Sequence, residues 1–584
     1  VSVERGADGF HHPSTEEQLV ELVRQANREG RQLRVRGAAH SIAWAIYPDP
    51  HDALPDRVSR EAPPPGDAIT IMVDQYRGWR IRDAARRLVE VDAGLNLGAD
   101  PNDPTGTATL DNSLLSQLAH QQGWSLHDTG GITHQTVSGF TATGSAGGSV
   151  RASCQDNLYG FRVIDGTGAV HEVTRDDPDP GPFFAMSPSL GLLGVVSTVL
   201  LECVEAFDIA GQEAITSFAG CAVDVLGAGD GADGRPTLEA FLKDAGFARL
   251  EWWPQRGAER VLVWQAEALA PEPDFQRRPY SRFGHDPEGT QRLISFLYTI
   301  LGNLTDLSGA KAKLEDDFDG LDRVLAQLAA RDDLGEVGRI LAEAVGAALR
   351  DGVDALLEVL EPAAPLIERA IPDVFPKLVT MFVELDGTRP PQAFRDTGWQ
   401  GLPMDNAADD VIVPTEFTEA WVPLGRAREV MGLLHDYFTA PPSARESYRR
   451  TGLYAWEIYA AKPNAFWLNP SYSDGADEWA DGALRIDPYW FAENADDPSR
   501  TLFAGLWSLL AENAIPTRLH WGKFQPPVTP GDRTWVDRLR AQYPHWDDFL
   551  ALRAQRDPNN IFLTSYWRDR LGLWDAPEPV AQDR

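Results

Sequence analysis

Hydrophobic positions in the first third of the chain alternate between helical and strand spacing. In PSTEEQLVELVRQANREG, Leu19, Val20, Leu22 and Val23 form one apolar face, Ser14 and Glu17 have the spacing of a capping box, and Gly30 ends the pattern. That combination predicts a helix. QLRVRG then predicts a strand ending at Gly37, and AITIMV (Ala68 to Val73) and RLVEVDAG (Arg87 to Gly94) predict two more. SLLSQLAHQQG (Ser113 to Gly123) predicts a helix with a glycine stop. NLYGFRVIDGTGAVHEVT predicts a hairpin turning at Asp165 to Gly168, and SLGLLGVVSTVLLECV a glycine turn feeding a buried strand. Further on, RLEWWPQRGAERVLVWQAE (Arg249 to Glu267) predicts a second hairpin. A long helical block follows at about 289–377, and strands return in LVTMFVEL, EFTEAWVPL and YAWEIYAA. The pattern is α+β.

Length adds domain count: 584 residues are too many for one core, so two or more domains are predicted. A formal net charge of −34 disfavours nucleic acid or an anionic membrane as partner. The apolar run from Phe183 to Leu201 is broken by Pro188, Gly191 and Gly194, so it predicts a turn and a buried strand, not a membrane span. Three cysteines (Cys154, Cys203, Cys221) cannot all pair and lack metal-type spacing. The chain starts at Val1 with no initiator Met and no basic, apolar leader. It reads as cytoplasmic, or as secreted if a leader was removed before Val1.

Three stretches carry candidate chemistry. GGITHQTVSGFTATGSAGGSV (Gly130 to Val150) is rich in Gly, Ser and Thr and nearly uncharged, so backbone can approach a ligand closely, although a flexible linker has the same composition. RQLRVRGAAHSIAW places His40 just after a glycine turn; a plain strand exit needs the glycine but not the imidazole. RLHWGKFQP groups His520, Trp521, Gly522 and Lys523. Alone, His40 reads as a structural hydrogen-bonding group and Lys523 as a solvated lysine. The twelve histidines form no metal-like cluster in sequence, and His11 and His12, being adjacent, read as surface residues. No metal site is predicted. No G-x-G-x-x-G, P-loop, H-E-x-x-H or G-x-S-x-G occurs.

RVRGAAHS resembles the strand–Gly-x-x-His-Ser motif of FAD-linked oxidases of the vanillyl-alcohol oxidase/p-cresol methylhydroxylase superfamily. QTVSGFTATGSAGGS is similar to that family's pyrophosphate-binding loop, and SLGLLGVVSTVLLE to its following turn and strand. HWGK and the terminal RDPNNIFLTSYWRDRLG resemble the aldonolactone and alditol oxidase branch. The resemblance implies an α+β fold of two domains. An FAD-binding domain would take residues 1–205, rejoined by a C-terminal segment at 527–584, and a substrate domain 206–526 with its helical insert at about 289–377.

It also implies residue roles. His40 would bond covalently to FAD, with Gly37, Ala38, Ala39 and Ser41 shaping its turn. Thr136, Gly139, Thr143, Gly144, Ser145 and Gly147 would hold the pyrophosphate, with Gly194 and Val196 from the following turn. Ala146 and Ser138 depart from the family's His and Gly. AWEIYAA resembles the catalytic strand, so Glu457, Lys523 and His520 are candidate catalytic residues, Glu457 setting the charge of Lys523. Tyr459 stands where Arg is usual. Because Tyr offers one hydroxyl and a ring face, and the helical insert resembles that of covalent-flavin cholesterol oxidases, a bulky or apolar alcohol such as a sterol is the predicted substrate.

The activity implied is oxidation of CH–OH groups, with hydride passing to FAD and oxygen reduced to hydrogen peroxide. The partners are then a small-molecule alcohol and oxygen, and the oligomeric state stays open. Aldonolactone or alditol oxidation, a dehydrogenase with a non-oxygen acceptor, and a non-catalytic flavin-binding protein are the alternatives. HWGK argues against a berberine-bridge type cyclase.

Overall fold

The computed structural model describes residues 3–51, 66–227, 234–255, 258–272, 274–280, 287–316, 331–382, 391–406, 414–439 and 452–582, with a few positions between 317 and 330. The architecture mixes helices and sheets. A parallel pair, Leu33–Arg36 with Ile69–Met72, opens the fold. A five-stranded sheet follows in the spatial order Trp79–Asp83, Leu88–Asp92, Val195–Glu202, Leu158–Ile164, Val170–Thr174. A nine-stranded antiparallel sheet holds the middle of the chain. Its central strands run Asp208–Ser217, Arg260–Leu269, Phe247–Trp253, Leu453–Ala461, Ala483–Phe491 and Ala420–Pro423.

Local sequence explains most elements. The first helix, Glu16–Glu29, buries Leu19, Leu22, Val23 and Ala26 and ends on Gly30 in the left-handed region. Its cap sits one residue later than the sequence predicts: Thr15 accepts the Gln18 N–H, and Ser14 donates to the Gln18 side chain. The helix Leu114–Gln122 likewise stops at left-handed Gly123. The two predicted hairpins form, Leu158–Ile164 with Val170–Thr174 and Phe247–Trp253 with Arg260–Leu269.

Four expectations change. The Gly/Ser/Thr stretch is not all loop: Val137–Ala142 is a short helix capped by Thr136. LVTMFVEL is not a strand as far as it is described. The helix Val353–Phe382 runs into it, and 383–385 lie outside the described residues. An apolar run has no period that separates a buried helix from a strand. His11 is buried at 6% exposure rather than on the surface, its backbone bridging to the Ile69–Met72 strand. Finally, EFTEAWVPL forms two short strands, Thr415–Glu416 and Ala420–Pro423. The loop GAGDGADGRP lies mostly outside the described residues.

One apolar cluster runs from Leu19 and Val23 through Val91 and Val199 to Trp456 and Trp490 of the long sheet. A second joins Trp264 and Phe394 to Leu341, Val345, Leu356 and Ile367 of the helices Gly335–Asp351 and Val353–Phe382. The C-terminal residues fold back on the first hundred: Leu33 N–H donates to the Ile561 carbonyl at 2.7 Å, and the Trp567 indole to Ala45 at 3.1 Å. The three cysteines are buried free thiols. Among the described residues no helix is long and apolar enough to cross a membrane.

Candidate active site

The strand Leu33–Arg36 delivers the chain to Gly37, and the turn that follows needs Ala39 at φ +58°. Left-handed backbone at a residue with a Cβ is uncommon and marks a turn fixed by its surroundings. Those surroundings include the His-Trp-Gly-Lys segment. Ile42 N–H donates to the Gly522 carbonyl at 2.9 Å, and Lys523 Nζ donates to the His40 carbonyl at 3.0 Å. A Cβ on Gly522 would stand 2.5 Å from Ser41 Oγ, so a larger residue there would make Ser41 move. Two motifs separated by 480 residues of sequence thus form one wall.

That wall bounds a cavity of about 1060 Å³. The volume is at the upper end for a ligand-sized pocket. Gly37, Ala38, Ala39, His40, Ser41, Thr136, Gly139, Thr143, Ser145, Gly194 and Val196 line it, as do Glu457, Tyr459, His520 and Lys523. Gly144 and Gly147 do not. Gly144 packs on Asn469 and Pro470, and a Cβ on Gly147 would lie 2.1 Å from Asp128 Oδ2 and 2.3 Å from the Thr129 carbonyl. Sequence reading missed Arg34, Gln135 and Ser189 on this side of the cavity. Arg34 Nε, Gln135 Oε1 and Ser189 Oγ are buried polar atoms with no partner among the described residues. Open donors and an acceptor in this wall suit a polar ligand.

The opposite wall is the long sheet, and strand register decides its chemistry. Glu251 pairs across to Glu457 and Glu457 to Asp487, while Arg249 pairs to Tyr459 and Tyr459 to Arg485. Residues two apart share a face, so a row of carboxyls lies beside a row of Arg, Tyr and Arg. Arg249, with 0% exposure, bridges Glu457 at 2.9 Å, Glu251 at 3.4 Å and Asp405. Arg485 bridges Glu419 at 3.0 Å and donates to the carbonyls of Ala146 at 2.8 Å and Gly147 at 3.1 Å. Its guanidinium lies 4.6 Å from the Tyr459 ring centre. The neighbouring strand thus sets a cation beside Tyr459.

Titration follows from these contacts. Burial, and then Asp405, push the Glu457 carboxyl up to about 8. Burial, and then Glu419, raise Asp487. Burial also opposes ionisation of Glu419, but Arg485 leads the charges that outweigh it, and Glu419 ends below its ordinary value. Burial lowers His520 to about 4. His520 is then neutral at pH 7, and because its Nδ1 accepts the Gly522 N–H at 3.1 Å, its proton sits on Nε2.

Two expectations need correction. Glu457 is anchored to Arg249, and the carboxyls whose titration feels Lys523 are Glu419 and Asp487. The cavity expected to be apolar also carries charged groups in its lining. Beyond the carboxyl row, the helical insert contributes Arg292, Lys313 and Asp316 along with Ile294 and Tyr298. A sterol offers one hydroxyl to a lining that carries many polar groups. The missed residues had a local signal: in ALRIDPYWF, Arg485 and Asp487 alternate with apolar neighbours, as Glu457 does in YAWEIYAA.

No family model matches the chain. Its relatives include an L-gulono-1,4-lactone dehydrogenase of Mycobacterium tuberculosis, 25% identical over 203 residues, 34% of this chain and 38% of that protein. A D-arabinono-1,4-lactone oxidase of Saccharomyces cerevisiae is 24% identical over 210 residues, 36% of this chain and 34% of that protein. An L-gulonolactone oxidase of Scyliorhinus torazame is 24% identical over 260 residues, 44% of this chain and 48% of that protein. The chain thus spans about a third to a half of these relatives' lengths. They are aldonolactone oxidases and dehydrogenases, the branch its motifs resemble.

Proposed function

We propose that this relative of the aldonolactone oxidases is an FAD-dependent oxidoreductase acting on a CH–OH group of a neutral, polyhydroxylated substrate, of which an aldonolactone is the leading candidate. The observation that carries the reading is the shared cavity, lined both by the His40 turn with Lys523 and by Glu457, Tyr459 and Arg485 of the long sheet. On this reading residues 1–205 and 527–584 seat the cofactor, and 206–526 supply the substrate wall. Gly37 to Ser41, Thr136, Gly139, Thr143, Ser145, Gly194 and Val196 hold FAD, and His40 carries it covalently. FAD supplies the hydride acceptor.

The chain's own groups orient the substrate and handle the proton. Lys523 Nζ, fixed to the carbonyl of His40, would hydrogen-bond the reacting oxygen. His520 offers a neutral Nε2–H. Burial favours the protonated forms of Glu457 and Asp487, which can then donate to substrate hydroxyls, and Glu419, held ionised by Arg485, can accept a hydrogen bond from one. Several donors and acceptors in a row match a sugar lactone's ring of oxygens better than an apolar alcohol.

The test is anaerobic flavin reduction by L-gulono-1,4-lactone, D-arabinono-1,4-lactone, xylitol and cholesterol, followed by reoxidation. A lactone should reduce the flavin fastest. A sterol winning by about tenfold would refute the polar-wall reading, and a chain that takes up no FAD would refute the whole. The dehydrogenase relative supports a second acceptor class. Peroxide yield in air against turnover with a dye acceptor separates oxidase from dehydrogenase.

A further inference from the structure

His40 does not stand alone behind the cavity wall. Its ring centre lies 5.5 Å from that of His134 at an interplanar angle of 40°. Asp100 completes the group, with one nitrogen or oxygen of each of the three within 4.8 Å of the others. His134 and Asp100 are buried at 2% and 8% exposure, and neither lines the cavity, so they meet His40 from the protein side. Both are held in place. The Asn96 amide donates to the His134 carbonyl at 2.6 Å, and Arg77 holds Asn96 at 2.7 Å. Asp100 Oδ1 accepts the Asn102 N–H at 3.0 Å. The sequence hides the group, since its members are 34 to 94 positions apart.

We propose that His134, backed by Asp100, is the base that deprotonates His40 as it bonds to the flavin. The inference rests on the reading that His40 carries FAD. Bond formation has a definite balance. A His40 ring nitrogen bonds to the flavin's ring-methyl carbon, while one C–H bond at that carbon and the imidazole N–H are broken. Two electrons stay on the flavin, and molecular oxygen takes them with both protons, leaving hydrogen peroxide. Neutral His40 attacks through its bare nitrogen, and the imidazolium that results must lose the proton on its other nitrogen. Among the described residues, His134 and Asp100 form the titratable pair set directly against that ring. His134 takes the proton, and the Asp100 carboxylate offsets the charge that then appears on a buried imidazole. This makes His134 and Asp100 positioning residues for a modification, with no direct part in substrate oxidation.

The experiment follows covalent attachment rather than turnover. Full-length wild type, His40→Ala, His134→Gln and Asp100→Asn are purified, saturated with FAD in air, and sampled over time for flavin that stays on acid-precipitated protein and adds its mass to the chain. Total bound flavin is read before precipitation. Wild type should attach flavin and His40→Ala should not. His134→Gln should bind FAD yet attach it on the order of 10² more slowly, as expected for loss of a base. Asp100→Asn, which keeps the side chain's shape and gives a second reading should the glutamine variant not fold, should be slowed less. Attachment at the wild-type rate in both variants overturns the proposal while leaving His40 as the attachment site. Attachment that persists in His40→Ala, or never occurs in wild type, overturns the His40 reading and the proposal with it. One metal ion per chain at these three residues, with flavin unattached, would do the same.

Discussion

Arg485→Met should be among the most damaging single substitutions in the chain, and its cost can be worked from contacts. Arg485 and Glu419 are exposed by only 7% and 2%, so solvent screens their 3.0 Å bridge little. Breaking a buried pair by removing one partner costs about 3–5 kcal/mol, because the other charge stays uncompensated. The same guanidinium donates to the carbonyls of Ala146 and Gly147, and charged hydrogen bonds contribute about 1.5–3 kcal/mol each. These terms share one side chain and do not add, so the total expected loss is about 3–5 kcal/mol. Urea unfolding followed by tryptophan fluorescence measures it, since Arg485 packs on Trp421. The double variant Arg485→Met/Glu419→Gln removes the stranded carboxylate and should recover about half of the loss. A single-variant loss below about 1 kcal/mol, or a double variant no better than the single, would refute the argument that Arg485 holds a buried charge in place.

Three further outcomes follow from the site. Glu457 has its folded pKa raised from 4.5 to about 8, so its contribution to stability is complete below pH 4.5 and is lost as pH rises toward 8; Glu457→Gln should flatten that part of the stability curve, and an unchanged slope would contradict the assignment. Lys523→Ala should slow flavin reduction by on the order of 10²–10³ and leave FAD bound, as rapid-mixing absorbance would show, and near-normal reduction would remove Lys523 from the chemistry. Gly147→Ala forces a Cβ against Asp128 and the Thr129 carbonyl, so the loop must shift; a cost of about 1–3 kcal/mol in urea unfolding, with weaker FAD retention on gel filtration, is the expected result.

Local chemistry was legible in the chain before any fold was known. The spacing of Leu19, Leu22 and Val23, the glycine stops at 30 and 123, and the Asp165 to Gly168 turn set helices and a hairpin, because these depend on neighbours within a few positions. The same holds for the strand-to-turn character around His40 and for the small residues after Thr136. Where local signals conflict, as at 378–382, the pattern alone misleads. What tertiary structure decided is the company these residues keep. Glu251, Glu457 and Asp487 form a row because three strands distant in sequence pair in one register, and a shift of one residue would turn their side chains to the other face. Position 459 looked like a lost arginine and an apolar pocket, yet cross-strand Arg485 and Arg249 make the wall charged. His134 and Asp100 reach His40 only after the Asn96 and Thr136 segments bridge. Strand register and loop closure are long-range choices, set by how the whole core packs, and no local period encodes them.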